Sequence, residues 1–186
     1  MNVFDFDKTI LRGDCSALFT RYCFRHYPGV RGHILRALLR AVPMKVGLMS
    51  LQAWKEELFG FFSLVPDMES AVENFWADHV SRVYPWYLSV RKRDDVVISA
   101  SPEFLVAYAC GRIGISCAMG SPVDMHTGKF LGPNCNRAEK VRRYKEIFGD
   151  RPIEYFYSDS HSDDPLAALA AQAFLIKGGH IRPWKR

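Results

Sequence analysis

The chain has 186 residues, 48% apolar and 13% aromatic, with a formal net charge of +5 and a pI near 9.0. This composition excludes a disordered chain and fits one packed domain, with at most a small accessory lobe. The basic balance suits an anionic partner without choosing among phosphate esters, anionic lipid and nucleic acid.

The chain opens with Val3-Phe4-Asp5-Phe6, a short strand ending in acid. Asp5 breaks the apolar start, so a signal peptide is not expected. Residues 15 to about 90 carry apolar positions three and four apart, the period of helices. Pro28, Pro43, Pro66 and Pro85 divide this stretch into three or four of them. Its most apolar part, roughly 34 to 51, contains Arg36, Arg40 and Lys45, so a membrane-spanning helix is not expected and the cytoplasm is the expected location.

Val96-Val97-Ile98 reads as a strand buried on both faces. Ser101-Pro102-Glu103 then opens a helix to about 111, with Ser101 as cap and Pro102 as first helical residue. Residues 115–119 form the next strand, and Asp124 to Leu131 a hairpin around Thr127-Gly128. A helix over 137–148 is stopped by Gly149. Strand 153–157, a helix opened by Asp164-Pro165 and a last strand over 173–176 follow. The basic tail, Lys177 to Arg186, reads as a solvated terminus. Strands alternating with helices predict an α/β fold, a doubly wound parallel sheet. The predicted division is a core of residues 1–14 and 91–186 with a small helical insert over 15–90 after the first strand.

In such sheets ligands bind at the carboxyl ends of the strands. Three polar clusters fall at strand ends: Asp5 with Asp7, Ser99, and Asp159 with Asp163. Two carboxylates one residue apart can divide nucleophilic attack and proton transfer between them. A carboxylate attacking a phosphate needs a cation between the two, and Mg²⁺ takes oxygen ligands. Ser99, beside a helix N-terminus, and Lys140 are candidates for holding phosphoryl oxygens.

These pieces resemble the four motifs of the haloacid dehalogenase superfamily. Asp5-Phe6-Asp7-Lys8-Thr9 is similar to motif I, Val97-Ile98-Ser99 to motif II, Lys140 to motif III and Asp159-Ser160-x-x-Asp163 to motif IV. The helical stretch between motifs I and II resembles the C1 cap of subfamily IB, the phosphoserine-phosphatase-like branch. The resemblance implies a phosphatase in which Asp5 forms an aspartyl-phosphate and Asp7 is the general acid and base. It implies Mg²⁺ held by Asp5, the Asp7 carbonyl and Asp159, with Asp163 completing the acidic site, and phosphate held by Ser99, Ala100 and Lys140. Thr9 fixes the motif I loop.

Ser99-Ala100-Ser101 stands where phosphoserine phosphatases carry Ser-Gly-Gly, Ser158 where a glycine is common, and Asp14 where those enzymes place a glutamate. Phosphoserine is therefore one alternative among several. The others are a lipid phosphate similar to phosphatidylglycerophosphate, or transfer of the phosphoryl group to another alcohol. A non-enzymatic binding module would have lost the acidic residues present here.

Candidate substrate contacts at and on the insert are Asp14, where it begins, and Arg36 and Arg40 within it. Arg21, Arg25, Arg31, Arg36, Arg40 and Lys45 occur between 21 and 45 without an acid. Arg21/Arg25 and Arg36/Arg40 share helix faces, set against a packed apolar face of Ile34, Leu35, Leu38, Leu39 and Val42. Such a basic face is either solvated or a contact for anionic lipid or a large anionic substrate. Trp54, Trp76, Trp86 and Phe59 to Phe62 read as the core of the insert. His161 is expected to take no part in catalysis. Five cysteines, at 15, 23, 110, 117 and 135, lack metal or disulfide spacing and read as idle thiols. No nucleic-acid partner is expected.

Overall fold

The computed structural model describes residues 1–185, with the side chains of Pro43 and Lys45 excluded. Lys45 and Arg186, read from the sequence as parts of the basic face and tail, thus lie outside the described side chains or residues. Six strands form one sheet in the order β3-β2-β1-β4-β5-β6. The strands are β1 (Asn2–Phe4), β2 (Val96–Pro102), β3 (Cys117–Ser121), β4 (Ile153–Ser158), β5 (Ala170–Lys177) and β6 (His180–Pro183). β1 to β5 run parallel, and β6 returns antiparallel along β5. The sheet thus meets the α/β expectation, with one antiparallel edge added.

Alternation along the strands feeds two cores. Val3, Val96, Ile98 and Phe156 point to one face, against Tyr144 of α8 (Ala138–Phe148) and Leu166 of α9 (Asp164–Ala167). Phe4 and Val97 point to the other, against Leu105, Val106 and Ala109 of α7 (Glu103–Arg112). The second core continues without a break into the helical segment between β1 and β2.

That segment holds α1 (Cys15–His26), α2 (Arg31–Leu39), α3 (Ala41–Lys45), α4 (Leu51–Phe59), α5 (Met68–His79) and α6 (Pro85–Val90), with three short 3₁₀ turns. It is more finely divided than the prolines alone predict. Pro85 opens α6 and Pro28 opens a 3₁₀ turn, but Pro43 lies within α3. Asp14, Ser50 and Asp67 cap α1, α4 and α5 by accepting N–H bonds from Ala17, Ala53 and Ser70. Phe19, Phe62 and Phe75 meet edge to face at 5.2–5.9 Å, forming an aromatic core. Trp86 packs instead on Phe4 and Tyr157 of the sheet.

Three expectations are corrected, and a fourth is met. Ser101 does not cap α7. β2 runs on to Pro102, paired with Ser121, so Ser101 is still strand and its hydroxyl turns elsewhere. The 124–131 hairpin is present in short form: Val123 bridges Phe130, the Asp124 and Leu131 N–H groups donate to the Lys129 and Pro122 carbonyls, and Asp124 fixes the turn by accepting N–H bonds from Thr127 and His126. The tail is not a free terminus: His180–Pro183 pairs with β5, and the Trp184 indole donates to Asp164 at 2.9 Å. The apolar face of α2 is not packed. Ile34 and Ala37 are buried, whereas Leu35, Leu38, Leu39 and Val42 are exposed. The apolar residues of α2 spread over about half of its circumference, with Val42 beyond it on α3, and only one stripe of them meets the core.

Candidate active site

The site lies at the carboxyl ends of β1 and β4. The Asp5 N–H donates to the Tyr157 carbonyl at 2.8 Å, extending the parallel pairing one residue past β1. The chain then turns sharply. The Thr9, Ile10 and Leu11 N–H groups converge on the Phe6 carbonyl, and Lys8 takes a positive φ of 58°. This turn places Asp5 and Asp7 beside one cavity of about 230 Å³, with Asp14, Lys140, Asp159 and Asp163 also on its walls.

Asp5 is buried and held from two sides. Lys140 Nζ donates to Oδ1 at 2.6 Å and the Thr9 hydroxyl to Oδ2 at 3.1 Å. Lys140 also reaches Asp163 Oδ2 at 2.7 Å, and the Ser158 hydroxyl donates to the same oxygen at 2.8 Å. One ammonium therefore serves two buried carboxylates. The Lys140 ammonium is held above its ordinary range: burial opposes its charge, but Asp5 and Asp163 outweigh that. For Asp5 the balance goes the other way. Burial, Asp163 and Asp7 together outweigh Lys140 and push its carboxyl up to about 7.

Asp7 keeps different company. Its Oδ1 accepts the Cys15 N–H at 2.5 Å, and its Oδ2 accepts the hydroxyls of Ser99 at 3.0 Å and Ser101 at 2.7 Å. Burial first, and then Asp14, push it up to about 6 against these neutral donors. Asp159, half-buried, is also pushed up by burial, partly offset by Lys8 and Lys177.

Burial is the main cause of all three upward shifts, and the pocket's carboxylates, Asp5, Asp7, Asp14, Asp159 and Asp163, outnumber its ammoniums, Lys8 and Lys140. Among the described residues, no three His, Cys, Asp or Glu side chains converge into a ready-made metal cage. Mg²⁺ does not require one, because it binds through one or two carboxylates and keeps several waters. The hard-oxygen donors and the surplus charge fit that ion. Asp5 and Asp159 would supply carboxylates; Asp163 gives Oδ2 to Lys140 and Ser158, and both oxygens of the Asp7 carboxylate are engaged by Cys15, Ser99 and Ser101.

Ser99 is fully buried, and its hydroxyl is used on Asp7 rather than on the cavity wall. Ala100 does line the cavity. Asp14 lines it too while capping α1. Arg36 and Arg40 line another cavity, with His33 and Glu57, that shares no wall with the carboxylate pocket. Arg40 pairs with Glu57 at 3.5 Å. His161 is exposed, against Asp164 and Trp184.

Several contributors escaped the sequence reading. Lys55, on α4, donates to the Ala100 carbonyl at 2.8 Å and to Asn134 Oδ1 at 2.9 Å. Burial lowers its pKa, with Asp14 and Asp7 pulling it back up. Gln52 and Glu56, from the same helix, accept the N–H groups of Asn134 and Phe130. Gly128 (φ +75°) lies so close to Phe59 that an added Cβ would sit 2.2 Å from its carbonyl oxygen. Lys177 donates to the Asp159 carbonyl at 2.6 Å. The one usable signal was the three- to four-residue spacing of Gln52, Lys55 and Glu56 on one face of α4.

Comparison with known proteins places the fold and the family. Solved structures with the same fold include a protein of unknown function from Bordetella pertussis (TM-score 0.73, 19% identity, 93% of this chain and 87% of that one). Another is a HAD family hydrolase from Salmonella enterica serovar Typhi (TM-score 0.68, 14% identity, 91% and 60%). Among curated sequences, a histidinol-phosphatase from Neisseria meningitidis is 26% identical over 45% of this chain and 43% of its own length. Protein CicA from Caulobacter vibrioides is 32% identical over 40% and 36%. The chain thus spans less than half the length of these curated relatives. Residues 3–168 match the family model for haloacid dehalogenase-like hydrolases, and the chain belongs to that family.

Proposed function

We propose that this chain is a Mg²⁺-dependent phosphatase that hydrolyses a phosphomonoester through an aspartyl-phosphate on Asp5. The observation that carries this reading is the convergence of Asp5, Asp7, Lys140, Asp159 and Asp163 on one small cavity from three separate parts of the chain. The name of the histidinol-phosphatase relative and the family membership add to it.

Asp5 is the nucleophile. Thr9 and Lys140 fix its carboxylate, so little reorientation is needed for attack in line on phosphorus. The P–O bond to the alcohol breaks as the Asp5–P bond forms. Asp7, whose carboxyl burial pushes up to about 6, is shifted toward its protonated form, and in that form it delivers its proton to the leaving oxygen. The same carboxylate then takes a proton from the water that attacks the phospho-Asp5. Ser99, Ser101 and the Cys15 N–H hold it in place through both transfers. Lys140 sits where its charge offsets phosphoryl oxygens as well as Asp5, and Ala100 lies on the facing wall. Mg²⁺, held by Asp5, Asp159 and the Asp7 carbonyl, would neutralise charge between nucleophile and phosphate.

Residues 15–90 act in this reading as a cap on a core of 1–14 and 91–186. The bonds of Lys55, Gln52 and Glu56 to residues 100 and 130–134 support it. The test is release of inorganic phosphate from p-nitrophenyl phosphate, with Mg²⁺ and with EDTA, alongside Asp5→Asn. Turnover should require the cation and fall about 10³-fold or more in the variant. Turnover that survives Asp5→Asn contradicts the assignment.

A further inference from the structure

The carboxylate cavity does not stand alone. A second cavity of about 170 Å³ shares Asp7, Asp14 and Ala100 with it and adds Ala17, Trp54 and Leu58. A third, about 580 Å³, shares Ala17, Trp54 and Leu58 with the second. The third runs along one face of α1, where Ala17, Thr20, Arg21, Phe24 and Arg25 recur at three- and four-residue spacing. Ile34, Leu35 and Leu38 of α2 close it from the side. From Ala17 to Arg25 this face spans about 12 Å of helix axis.

The lining changes from acid to hydrocarbon along this path. Near Asp7 the walls are carboxylate, hydroxyl and ammonium; beyond Trp54 they are aliphatic and aromatic, with Arg21 and Arg25 as the charged groups. Leu35 and Leu38 stand 53% and 48% exposed beside the groove. Leucines left half exposed gain little of their burial energy from folding, and a groove of this size and character has the proportions of a ligand site. No Asp or Glu occurs between Asp14 and Glu56, so the walls of the groove repel no anion. With the phosphate of the proposed reaction at the Asp5 end, the groove fits an occupant that is apolar along its length.

We infer that the substrate is an amphiphilic phosphomonoester, whose phosphate sits against Asp5 and Lys140 and whose apolar chain lies in the groove between α1, α2 and α4. This inference rests on the phosphatase reading and names the substrate class of that site. No chemistry is added: the P–O bond breaks as described, and the leaving alcohol keeps its chain.

The experiment is a series of n-alkyl phosphates of increasing length, each below its micelle-forming concentration, with Mg²⁺. Binding of the matching alkylphosphonates, which are not hydrolysed, is measured by calorimetry. The value of kcat/KM and the phosphonate affinity should rise by up to about fourfold per added methylene until the groove is filled. Leu38→Asn and Leu35→Asn should flatten that rise. A flat chain-length dependence with p-nitrophenyl phosphate still hydrolysed overturns the inference and spares the phosphatase reading. So does a rise that both variants retain. Alkyl carboxylates that show the same chain-length gain without competing against inorganic phosphate would make the groove a separate binding site, which also overturns it. Absence of hydrolysis on every ester, with no phosphonate binding, removes both readings.

Discussion

Lys140 is 2% exposed and Leu48 is 82% exposed, an inversion of where an ammonium and an isobutyl group ordinarily sit. The two residues typify two regions. At the carboxylate edge of the sheet, charged groups are buried and engaged: Lys140 by Asp5 and Asp163, Asp7 by three donors. On the outer side of α2 to α4, Leu39, Val42, Val46 and Leu48 face solvent. The edge gives up solvation to fix groups for chemistry, and its partners are dictated one by one. The insert is fixed by its aromatic core, which leaves its outer side unconstrained. Stability and function are thus unevenly distributed, and substitutions in the two regions should behave differently.

The largest effect on folding is expected at the edge. Lys140→Met keeps the volume but leaves Asp5 and Asp163 facing each other without a cation. Removing one partner of a buried ionic cluster costs about 3–5 kcal/mol. The loss should be read by urea unfolding at pH 8 without divalent cation, and it should shrink at pH 5, where a proton can replace the ammonium. An equal loss at both pH values would break the electrostatic account of the cluster.

The wild-type edge carries a pH dependence of its own. Asp7 is raised from 3.8 to about 6, so the folded protein binds a proton that the unfolded chain releases at lower pH. Its contribution favours folding below about 4 and is lost as pH rises through 6, a decline of about 3 kcal/mol. Asp5, raised to about 7, acts in the same direction. Metal-free protein should therefore be less stable at pH 8 than at pH 5, by thermal or urea unfolding. Mg²⁺ should narrow that gap, and its apparent affinity should weaken as pH falls, because cation and proton compete for the same carboxylates. Stability that rises from pH 5 to 8 without metal would contradict the cited shifts.

The smallest effect belongs to the exposed side of the insert. Leu48→Gln and Leu39→Gln should change unfolding free energy by no more than about 0.5 kcal/mol. A loss well beyond that would mean these leucines are covered in solution, and would sharpen the comparison by removing half of it.

The same contrast explains what the sequence revealed. Asp5, Asp7, Lys140, Asp159 and Asp163 were legible because strand ends and short motifs fix where such residues point, and the α/β topology brings those ends together. The parallel sheet followed from β-type runs alternating with helical ones. Ser101 was misread because Ser-Pro-Glu suits a helix cap, whereas pairing with β3 keeps it extended and gives its hydroxyl to Asp7. Lys55 and Lys177 reach the site only through the docking of α4 and the β5–β6 edge, which no local pattern encodes. The exposed leucines of α2 were misplaced for the converse reason: a helix with a wide apolar face does not announce which stripe of it the core will take.

The central claim is that Asp5 itself becomes phosphorylated. Acid-quenched single turnovers on p-nitrophenyl phosphate, reduced with borohydride and mapped by peptide mass spectrometry, read this directly. The account predicts conversion of Asp5 to homoserine, in a Mg²⁺-dependent amount and at no other aspartate. Turnover of the ester with Asp5 unmodified at every quench time, or with the product found at Asp7 or Asp159, would contradict it.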